Sequence, residues 1–456
     1  MEGNLRKESM LPPISKLPGL VNTLRWMADP DGSLERDAAR FGDAYLIQTL
    51  LFGTEAVFSH PVALKEIFTG DSDRFSAGEA NEILGPVLGS RSVLLLDGAE
   101  HLHVRKMMMP AFHGERMRNY TATMAAITRR ALASFHRGAH LSFHTVFQQI
   151  TLDVILQTVL GLDEDGPALD EARIRITHLL DRVQSPTGAL WLLPSLRRDL
   201  GRLTPWASIK REIDEVSRML RDHIARRRAT AGKKDDVLAM LIHAVDEEGQ
   251  GLDDLTLVSQ LKTLLIAGHE TSATSLCWAF EELLRVPGEQ ERLREEVESV
   301  TGGAELTAEH LPRLTRLDSV LKETLRLHPV TAAIGRVLKK PTTVGGYDLP
   351  VGIMVVASIH TTHRRPDLYP DPARFVPDRF VGKKIDPYEW LPFGVGSHRC
   401  LGMAFALHEM KVVMATILGA GVKLRLEDKG PLKTQLRSLF YAPRGGTKVV
   451  VEAVAG

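Results

Sequence analysis

The chain of 456 residues is 44% hydrophobic and 25% charged, as is typical of globular proteins, and its 57 basic residues balance its 57 acidic residues. A formal net charge of zero gives no overall attraction to nucleic acid or to an anionic membrane, so neither is expected as a partner. Two cysteines cannot build a disulfide framework, and no run reaches the ~18 uncharged apolar residues of a membrane span, so we expect a cytoplasmic chain without a membrane anchor.

The first part of the chain is predicted to be mostly helical after a short β-rich segment. A proline-containing arm covers residues 1–20, and β-rich runs flank Gly53 within residues 44–59, as in a hairpin. Helical patterns dominate residues 101–330, which form the expected helical core, with a polar surface loop at 226–236.

One predicted helix is unusually long. The run from Leu255 to Pro287 contains no proline before its end, and at ~1.5 Å per residue it would extend on the order of 45 Å. Its middle is apolar on nearly every side, as in a core helix, except at His269, Glu270 and Thr271. A carboxylate and a hydroxyl are costly to bury there and need a functional explanation, although a hydroxyl can also bond back to the preceding turn.

The last part of the chain is predicted to combine helices with short strands. Helices are expected at 289–300 and 311–327, β-rich segments at 344–359 and as edge strands in the C-terminal tail, and an irregular proline-rich stretch at 360–402. No linker divides the sequence cleanly. We therefore predict one domain over residues 1–456, mainly α with small β-sheets (α+β).

Cys400 follows a glycine-rich loop in the segment WLPFGVGSHRCLG and precedes an apolar helical run at 401–418. Gly394 and Gly396 permit a tight loop, and a helix N-terminus favours a thiolate. A structural thiol, a nucleophile and a metal ligand are three interpretations. No orienting residue beside His398 supports a nucleophile, and no second cysteine at short spacing supports zinc. One thiolate is what haem iron needs, because the porphyrin supplies four ligands.

The cysteine segment resembles the haem-ligand loop of the cytochrome P450 monooxygenases, in the pattern Phe393-Gly394-x-Gly396-x-His398-x-Cys400-x-Gly402. Four further segments resemble motifs of that family in the same order: His101-x-x-x-Arg105, Ala267-Gly268-His269-Glu270-Thr271, Glu323-Thr324-Leu325-Arg326 and Pro377-Asp378-Arg379-Phe380. The resemblance implies the P450 fold, a single large triangular-prism domain. It also implies haem b (iron protoporphyrin IX) between the long central helix and the helix that follows the cysteine.

The resemblance also implies a role for each motif. Cys400 would be the axial ligand of the iron. Haem contacts are expected from His101, Arg105, Ala267, Gly268, Arg336, Phe393, Gly394, His398 and Gly402. Thr271 would hold oxygen and a water, and Glu270 would supply protons. Glu323, Arg326 and Arg379 would form a buried triad that anchors the cysteine loop; as a surface ion pair, the first two would contribute only a few tenths of a kcal/mol.

The predicted activity is that of a haem-thiolate monooxygenase, which hydroxylates or epoxidises a hydrophobic substrate such as a fatty acid, terpenoid, steroid or macrolide with O2 and two electrons. A peroxygenase that uses hydrogen peroxide and a non-enzymatic haem sensor or carrier are the alternatives, and the Glu270-Thr271 pair argues against both. The expected apolar substrate pocket comprises Ile83, Val87, Leu94, Ala267, Ala332, Ala333, Ile334 and Leu439.

The electrons would come from a separate protein, because the haem fold uses the whole length of the chain. We expect a ferredoxin or flavodoxin, with its reductase, to dock on the cysteine side near the basic residues Lys383, Lys384 and Arg399. The protein itself is expected to be a monomer.

Overall fold

The computed structural model describes residues 11–112, 115–164, 166–184, 191–192, 197, 205–229 and 236–454. The helices are α1 (Gly19–Ala28), α2 (Pro30–Phe41), α3 (Pro61–Thr69), α4 (Ala77–Ala80), α5 (Gly85–Leu88), α6 (Gly98–Met108), α7 (Glu115–Ala131), α8 (Phe143–Thr158), α9 (Pro167–Gln184), α10 (Pro205–Ala229), α11 (Val237–His243), α12 (Asp254–Leu283), α13 (Glu289–Thr301), α14 (Thr315–Leu327), α15 (Ile359–Thr362) and α16 (Met403–Gly419). The strands are β1 (Ala44–Thr49), β2 (Gly53–Phe58), β3 (Phe75–Ser76), β4 (His140–Ser142), β5 (Ala333–Leu338), β6 (Thr342–Val344), β7 (Tyr347–Leu349), β8 (Met354–Ser358), β9 (Lys423–Leu426), β10 (Thr434–Arg437), β11 (Phe440–Pro443) and β12 (Lys448–Ala453).

The long helix predicted from Leu255 is confirmed as α12. The side chain of Asp253 caps its first turn by accepting a hydrogen bond from the Thr256 amide at 2.7 Å. Most of its side chains are buried, because α8, α10, α14 and α16 all pack against it. The helix therefore crosses the molecule, and its interior face is available to position polar groups.

The largest sheet has the strand order β1-β2-β8-β5-β3. β1 and β2 form the predicted antiparallel hairpin, in which Ala44 pairs with Phe58 and Thr49 with Gly53. β8 adds to β2 in parallel and to β5 in antiparallel orientation, with Ile334 opposite Ala357. This sheet brings the start of β5 beside the segment that precedes the cysteine loop.

Three details differ from the sequence-based expectations. A short strand, β4, lies within residues 101–330, where helical patterns dominate, because it pairs with β12. β12 is the middle strand of the sheet β4-β12-β9 and not an edge strand. α10 continues through Ala229, so the first residues of the loop expected at 226–236 are helical; residues 230–235 lie outside the described residues, as do residues 1–10 of the N-terminal arm.

Within the described part of the chain, the search for a helix both long enough and apolar enough to cross a membrane finds none. The apolar run of α16, from Met403 to Gly419, is instead a core helix that packs against α7, α12, α13 and α14.

Candidate functional site

Backbone hydrogen bonds close the loop that carries Cys400. The Cys400 amide donates to the Phe393 carbonyl at 2.8 Å, and the Gly394 amide donates to the Leu391 carbonyl at 2.9 Å. Gly394 and Gly396 adopt φ values of 67° and 78°, in the left-handed region that favours glycine. The tight loop predicted from these two glycines is confirmed, and it holds the cysteine at a defined place before α16.

The same glycines allow the loop to pack closely against two other elements. A Cβ on Gly396 would lie 2.6 Å from the carbonyl oxygen of Phe68 on α3, which is too close for any side chain. A Cβ on Gly394 would lie 3.0 Å from Cδ1 of Ile334 on β5. A larger residue at either position would push the loop away from α3 or from β5.

Cys400 is reachable by solvent, yet protein surrounds its sulfur. Burial raises the pKa of the Cys400 thiol, and the Gly402 amide, Arg105 and Arg399 oppose that effect only in part. α16 begins at Met403, so it is the Gly402 amide that reaches the sulfur. A thiolate at Cys400 would therefore need more than the helix N-terminus to stabilise it, and a coordinated metal cation would supply that charge.

Four nitrogen-bearing side chains gather beside the cysteine loop. His101 on α6 and Arg336 on β5 are 2% and 6% exposed, respectively. The rings of His101 and His398 stack with their centroids 3.6 Å apart. Arg105, one turn after His101, is close enough to influence both histidines and the cysteine. The structure thus brings together all four residues that the sequence predicted as ligands of the haem carboxylates.

This cluster holds little negative charge, although Oδ1 of Asp97 lies 3.6 Å from Nε2 of His398. Burial lowers the pKa of Arg336 to about 10. Burial, followed by neighbouring cationic groups, lowers the pKa of His101 to about 4 and that of His398 to about 3. Among the described residues, Asp97 is the one carboxylate that opposes these shifts, and it also accepts hydrogen bonds from the Ala77 amide at 2.9 Å. Buried donors short of counter-charge fit a ligand with carboxylates, such as haem.

Thr271 lies beside Ala267 in the middle of α12, on a face of the helix that is half-buried. Its hydroxyl donates to the Ala267 carbonyl at 2.5 Å, the back-bond that the sequence allowed. The Ser275 hydroxyl repeats the pattern one turn later by donating to the Thr271 carbonyl at 2.8 Å. The Thr271 hydroxyl can therefore turn toward a ligand only by giving up a hydrogen bond to its own helix.

Glu270 is fully buried and has donors on every side. Nε2 of His144 lies 3.1 Å from Oε1, Nε of Arg437 lies 3.1 Å from the same oxygen, and the Gln148 amide donates to Oε2 at 2.8 Å. Burial alone would raise the pKa of Glu270, but His144, Arg437 and His269 together hold it at about 2. These partners therefore favour the ionised carboxylate over the neutral acid.

Sequence reasoning missed the partners of Glu270, although α8 carries a signal for two of them. His144 and Gln148 are four residues apart in the helical run FHTVFQQITLDVIL, so they share one face of the helix. Arg437 belongs to a distant strand and has no such signal. His269, expected to be neutral and hydrogen-bonded, is 3% exposed, and its Nε2 lies 3.1 Å from the Gln148 carbonyl oxygen.

The structure does not join Glu270 to Thr271. No hydrogen bond links these two described side chains, because the carboxylate turns toward α8 and β10. Gly268 also faces α8. A Cβ on Gly268 would lie 2.8 Å from Cδ1 of Ile155, so the absence of a side chain at Gly268 makes room for Ile155. A proton that passes between Glu270 and Thr271 therefore requires a side-chain movement or an intervening water.

The predicted triad forms in the core. Arg326 and Glu323 are both 0% exposed and make a bidentate pair, with N···O distances of 2.6 and 2.8 Å. Nε of Arg379 lies 3.2 Å from Oε1 of Glu323. The remaining donors of Arg326 reach the carbonyls of His363, Pro372 and Arg374 at 2.8 to 3.1 Å. The pair is therefore fully desolvated and fully hydrogen-bonded, not a surface ion pair.

His363 connects the triad to the cysteine loop and was not predicted. Its Nδ1 lies 3.0 Å from the Arg326 carbonyl oxygen, and its Nε2 accepts a hydrogen bond from the Leu391 amide at 2.9 Å. These contacts require a neutral ring with the proton on Nδ1, and burial indeed holds the pKa of His363 well below its usual value. Through this ring, α14 positions the residue that begins the loop turn.

The predicted pocket residues lie on three elements that approach α12. Val87 lies in α5, and Ile83 lies just before that helix. The segment 332–334 lies at the start of β5, and Leu439 lies in the turn between β10 and β11. Val87 and Ala332 are almost fully buried, whereas the others are half-buried: Ile83, Leu94, Ala267, Ala333, Ile334 and Leu439. The predicted residues therefore contribute apolar side chains.

Comparisons with known proteins agree with this geometry. The family model described as Cytochrome P450 matches residues 36–443. A protein of Mycobacterium tuberculosis named "Putative cytochrome P450 135B1" is 37% identical over 446 residues, which cover 97% of this chain and 92% of the relative. Another from Mycobacterium bovis, named "Putative cytochrome P450 138", is 32% identical, with 97% and 96% covered. A solved structure, retinoic acid-bound cyanobacterial CYP120A1, superposes with a TM-score of 0.83 at 26% identity and covers 98% of this chain and 100% of that one.

Proteins of this family and fold bind haem b through a cysteine thiolate. Of the two cysteines, Cys277 is fully buried within α12, whereas Cys400 lies in the loop beside the cluster of His101, Arg105, Arg336 and His398. The residues present fit the cofactor, since the loop offers one sulfur and the cluster offers donors for two carboxylates. On its sequence, its fold and the arrangement of these side chains, the chain belongs to the cytochrome P450 family.

Proposed function

We propose that the chain is a haem-thiolate monooxygenase with Cys400 as the iron ligand, and that it hydroxylates or epoxidises an extended apolar substrate. The family implies a monooxygenase that uses O2, an external electron donor and a small-molecule substrate. The observation that carries the assignment to these residues is the juxtaposition of Cys400 with the buried, counter-charge-poor cluster of His101, Arg105, Arg336 and His398. The cofactor needs no other group of charged side chains to hold it.

When bound, the haem supplies the oxygen activation, and the protein supplies position, protons and a dry surrounding. Gly402 donates its amide to the Cys400 sulfur, which tempers the electron density there. Thr271 holds a water or the oxygen by exchanging its bond to Ala267 for one to the ligand. Glu270 provides the proton once its carboxylate has picked one up and turned toward Thr271.

The proposed substrate is a terpenoid or fatty acid. CYP120A1 was solved with retinoic acid bound, and the predicted pocket residues of this chain are apolar. Arg91, which follows the predicted pocket residues Ile83 and Val87 in the sequence, is paired with Glu100 at the surface. We therefore expect apolar length and shape, and not a charged head group, to determine binding.

The proposed electron donor is a separate ferredoxin or flavodoxin with its reductase. Lys383, Lys384 and Arg399 are exposed on the side of the cysteine loop and suit an acidic partner. Turnover with an acidic ferredoxin should fall steeply as salt rises, and turnover insensitive to salt would count against this docking surface. A monomer in the cytoplasm is the proposed form of the protein.

The first test is spectroscopic. The purified protein, reduced with dithionite, should give the carbon-monoxide band of thiolate-bound haem, and Cys400→Ser should lose it; a band that persists in the variant would overturn the assignment. Thr271→Ala should then raise the hydrogen peroxide released per NADPH oxidised, by about tenfold. Unchanged coupling would remove Thr271 from proton delivery.

The alternatives predict different outcomes in the same preparation. A peroxygenase would turn over with hydrogen peroxide alone at least as fast as with electrons and O2. A sensor or carrier would bind ligands and oxidise none. Titration of fatty-acid and terpenoid libraries, followed by the low- to high-spin shift of the haem spectrum, identifies the substrate class before turnover is attempted.

A further inference from the structure

The carboxylate of Glu270 is held from two different parts of the fold. His144 and Gln148 reach it from α8, which is part of the helical core. Arg437 reaches it from β10, the first strand of a two-stranded sheet. The Thr274 hydroxyl on α12 also donates to Oε1, at 3.5 Å. The core contacts alone would therefore leave the carboxylate with donors from neutral or titratable groups. The permanent positive charge at this buried site comes from the strand.

Arg437 is the last residue of β10 and lies next to the turn that carries Leu439. It pairs with Phe440 across the hairpin, and Ser438 between them has a positive φ of 56°. A two-residue turn of this kind is short and stiff. Its far strand is fixed, because the Tyr441 amide donates to the Val330 carbonyl at 2.9 Å. A displacement of the turn is therefore transmitted to Arg437.

We propose that Arg437 is a positioning residue for Glu270. With His144, Arg437 holds the carboxylate against α8, where the carboxylate makes no hydrogen bond to Thr271. Arg437 also links that position of the carboxylate to the turn that bears Leu439. The proposal rests on the proposed function, in which Leu439 contacts the substrate. Contact between substrate and the turn then controls whether Glu270 stays in this position or becomes free to deliver protons.

Removal of the guanidinium changes the charge balance around Glu270. The titratable and charged groups that face it are His144 from α8, Arg437 from β10 and its own helix neighbour His269. Without Arg437 the desolvation of the carboxylate is opposed by two histidines and by the neutral donors Gln148 and Thr274. The pKa of Glu270 then rises from its low value toward the working pH, so that the carboxylate begins to titrate where the wild type does not.

The decisive variant is Arg437→Met in the haem-loaded protein, compared with Arg437→Lys, which retains the charge. Arg444→Met removes an exposed arginine just after the same hairpin and serves as the matched control. Infrared difference spectra recorded from about pH 5 to pH 8 report the carbonyl stretch of a protonated carboxylic acid. Burial raises the pKa of Glu55 to about 7 and that of Glu409 to about 8, so these two carboxyls contribute such bands to every variant. We expect Arg437→Met to show one further band, Arg437→Met combined with Glu270→Gln to lack that further band, and the wild type, Arg437→Lys and the control not to show it.

The second readout is the fraction of NADPH oxidised that ends as hydrogen peroxide, measured without substrate and with a surrogate ferredoxin and its reductase. In Arg437→Met this fraction should change about threefold between about pH 6 and pH 8, while the wild type and Arg437→Lys vary little. If Arg437→Met does not fold, Arg437→Gln takes its place. A variant without the infrared band and with a wild-type pH profile would refute the positioning role. Loss of the carbon-monoxide band in the wild type would instead refute the proposed function.

Discussion

Glu409 on α16 provides a quantitative test of the buried electrostatics. The residue is fully buried, and neither carboxyl oxygen has a hydrogen-bond partner of ordinary geometry among the described residues. Burial raises the pKa of its carboxyl to about 8 from the usual 4.5, and the nearby Ser272 hydroxyl opposes this only in part. The folded protein therefore retains a proton that the unfolded chain releases above pH 4.5.

The sign and size of the effect follow from proton linkage. The stability contributed by protonated Glu409 is fully present below pH 4.5 and is lost as the pH rises to about 8. Each pH unit in this window lowers the free energy of unfolding by about 1.4 kcal/mol, or about 5 kcal/mol in all. Glu409→Leu, which is similar in volume and cannot titrate, removes this slope.

The measurement is the free energy of unfolding of the haem-loaded protein from urea titrations at several pH values between 5 and 8, followed by tryptophan fluorescence. The advantage of Glu409→Leu over the wild type should widen by about 1.4 kcal/mol per pH unit. Glu409→Gln should show the same change of slope, and Glu298→Gln, at an exposed position of α13, controls for the loss of a carboxylate. Parallel curves for the wild type and Glu409→Leu would refute the raised pKa.

Three further substitutions test the support of the cysteine loop. His363→Phe leaves a buried amide and a buried carbonyl without partners and should lower the free energy of unfolding by about 2–4 kcal/mol, as urea titration measures. Arg326→Met leaves the Glu323 carboxylate largely uncompensated and should cost about 3 kcal/mol or more, with reduced haem content per chain in the absorption spectrum. Gly396→Ala forces a side chain toward the Phe68 carbonyl at positive φ and should cost about 2 kcal/mol; unchanged unfolding and haem content would show that the loop can relax.

The elements that sequence patterns specify locally were predictable. The long helix α12 follows from a proline-free apolar run, and the β1–β2 hairpin follows from two β-rich runs around Gly53. The loop before Cys400 follows from glycines at positions that need positive φ. In each case one segment carries the whole signal, so periodicity and composition suffice.

Contacts between distant segments were not predictable in the same way. Arg437 and Glu270 meet because β10 and α12 are brought together by packing, and no local pattern around either residue indicates the pairing. His363 was overlooked because a histidine in an irregular segment has no periodicity. β12 was misplaced at an edge, although its three consecutive valines are typical of a strand buried on both faces.

The position of β12 has a consequence for the order in which the molecule folds. The strand lies between β4 and β9, and the hydrogen-bonded atoms of Ser142 and Gly446 belong to residues 304 positions apart in the chain. α8, whose second residue is His144, starts directly after β4. Contacts of such high contact order form slowly, so the first turn of α8 settles only after β12 has been synthesised. During translation, the surroundings of Glu270 on α12 are therefore completed late, after the helices that pack around it have been synthesised.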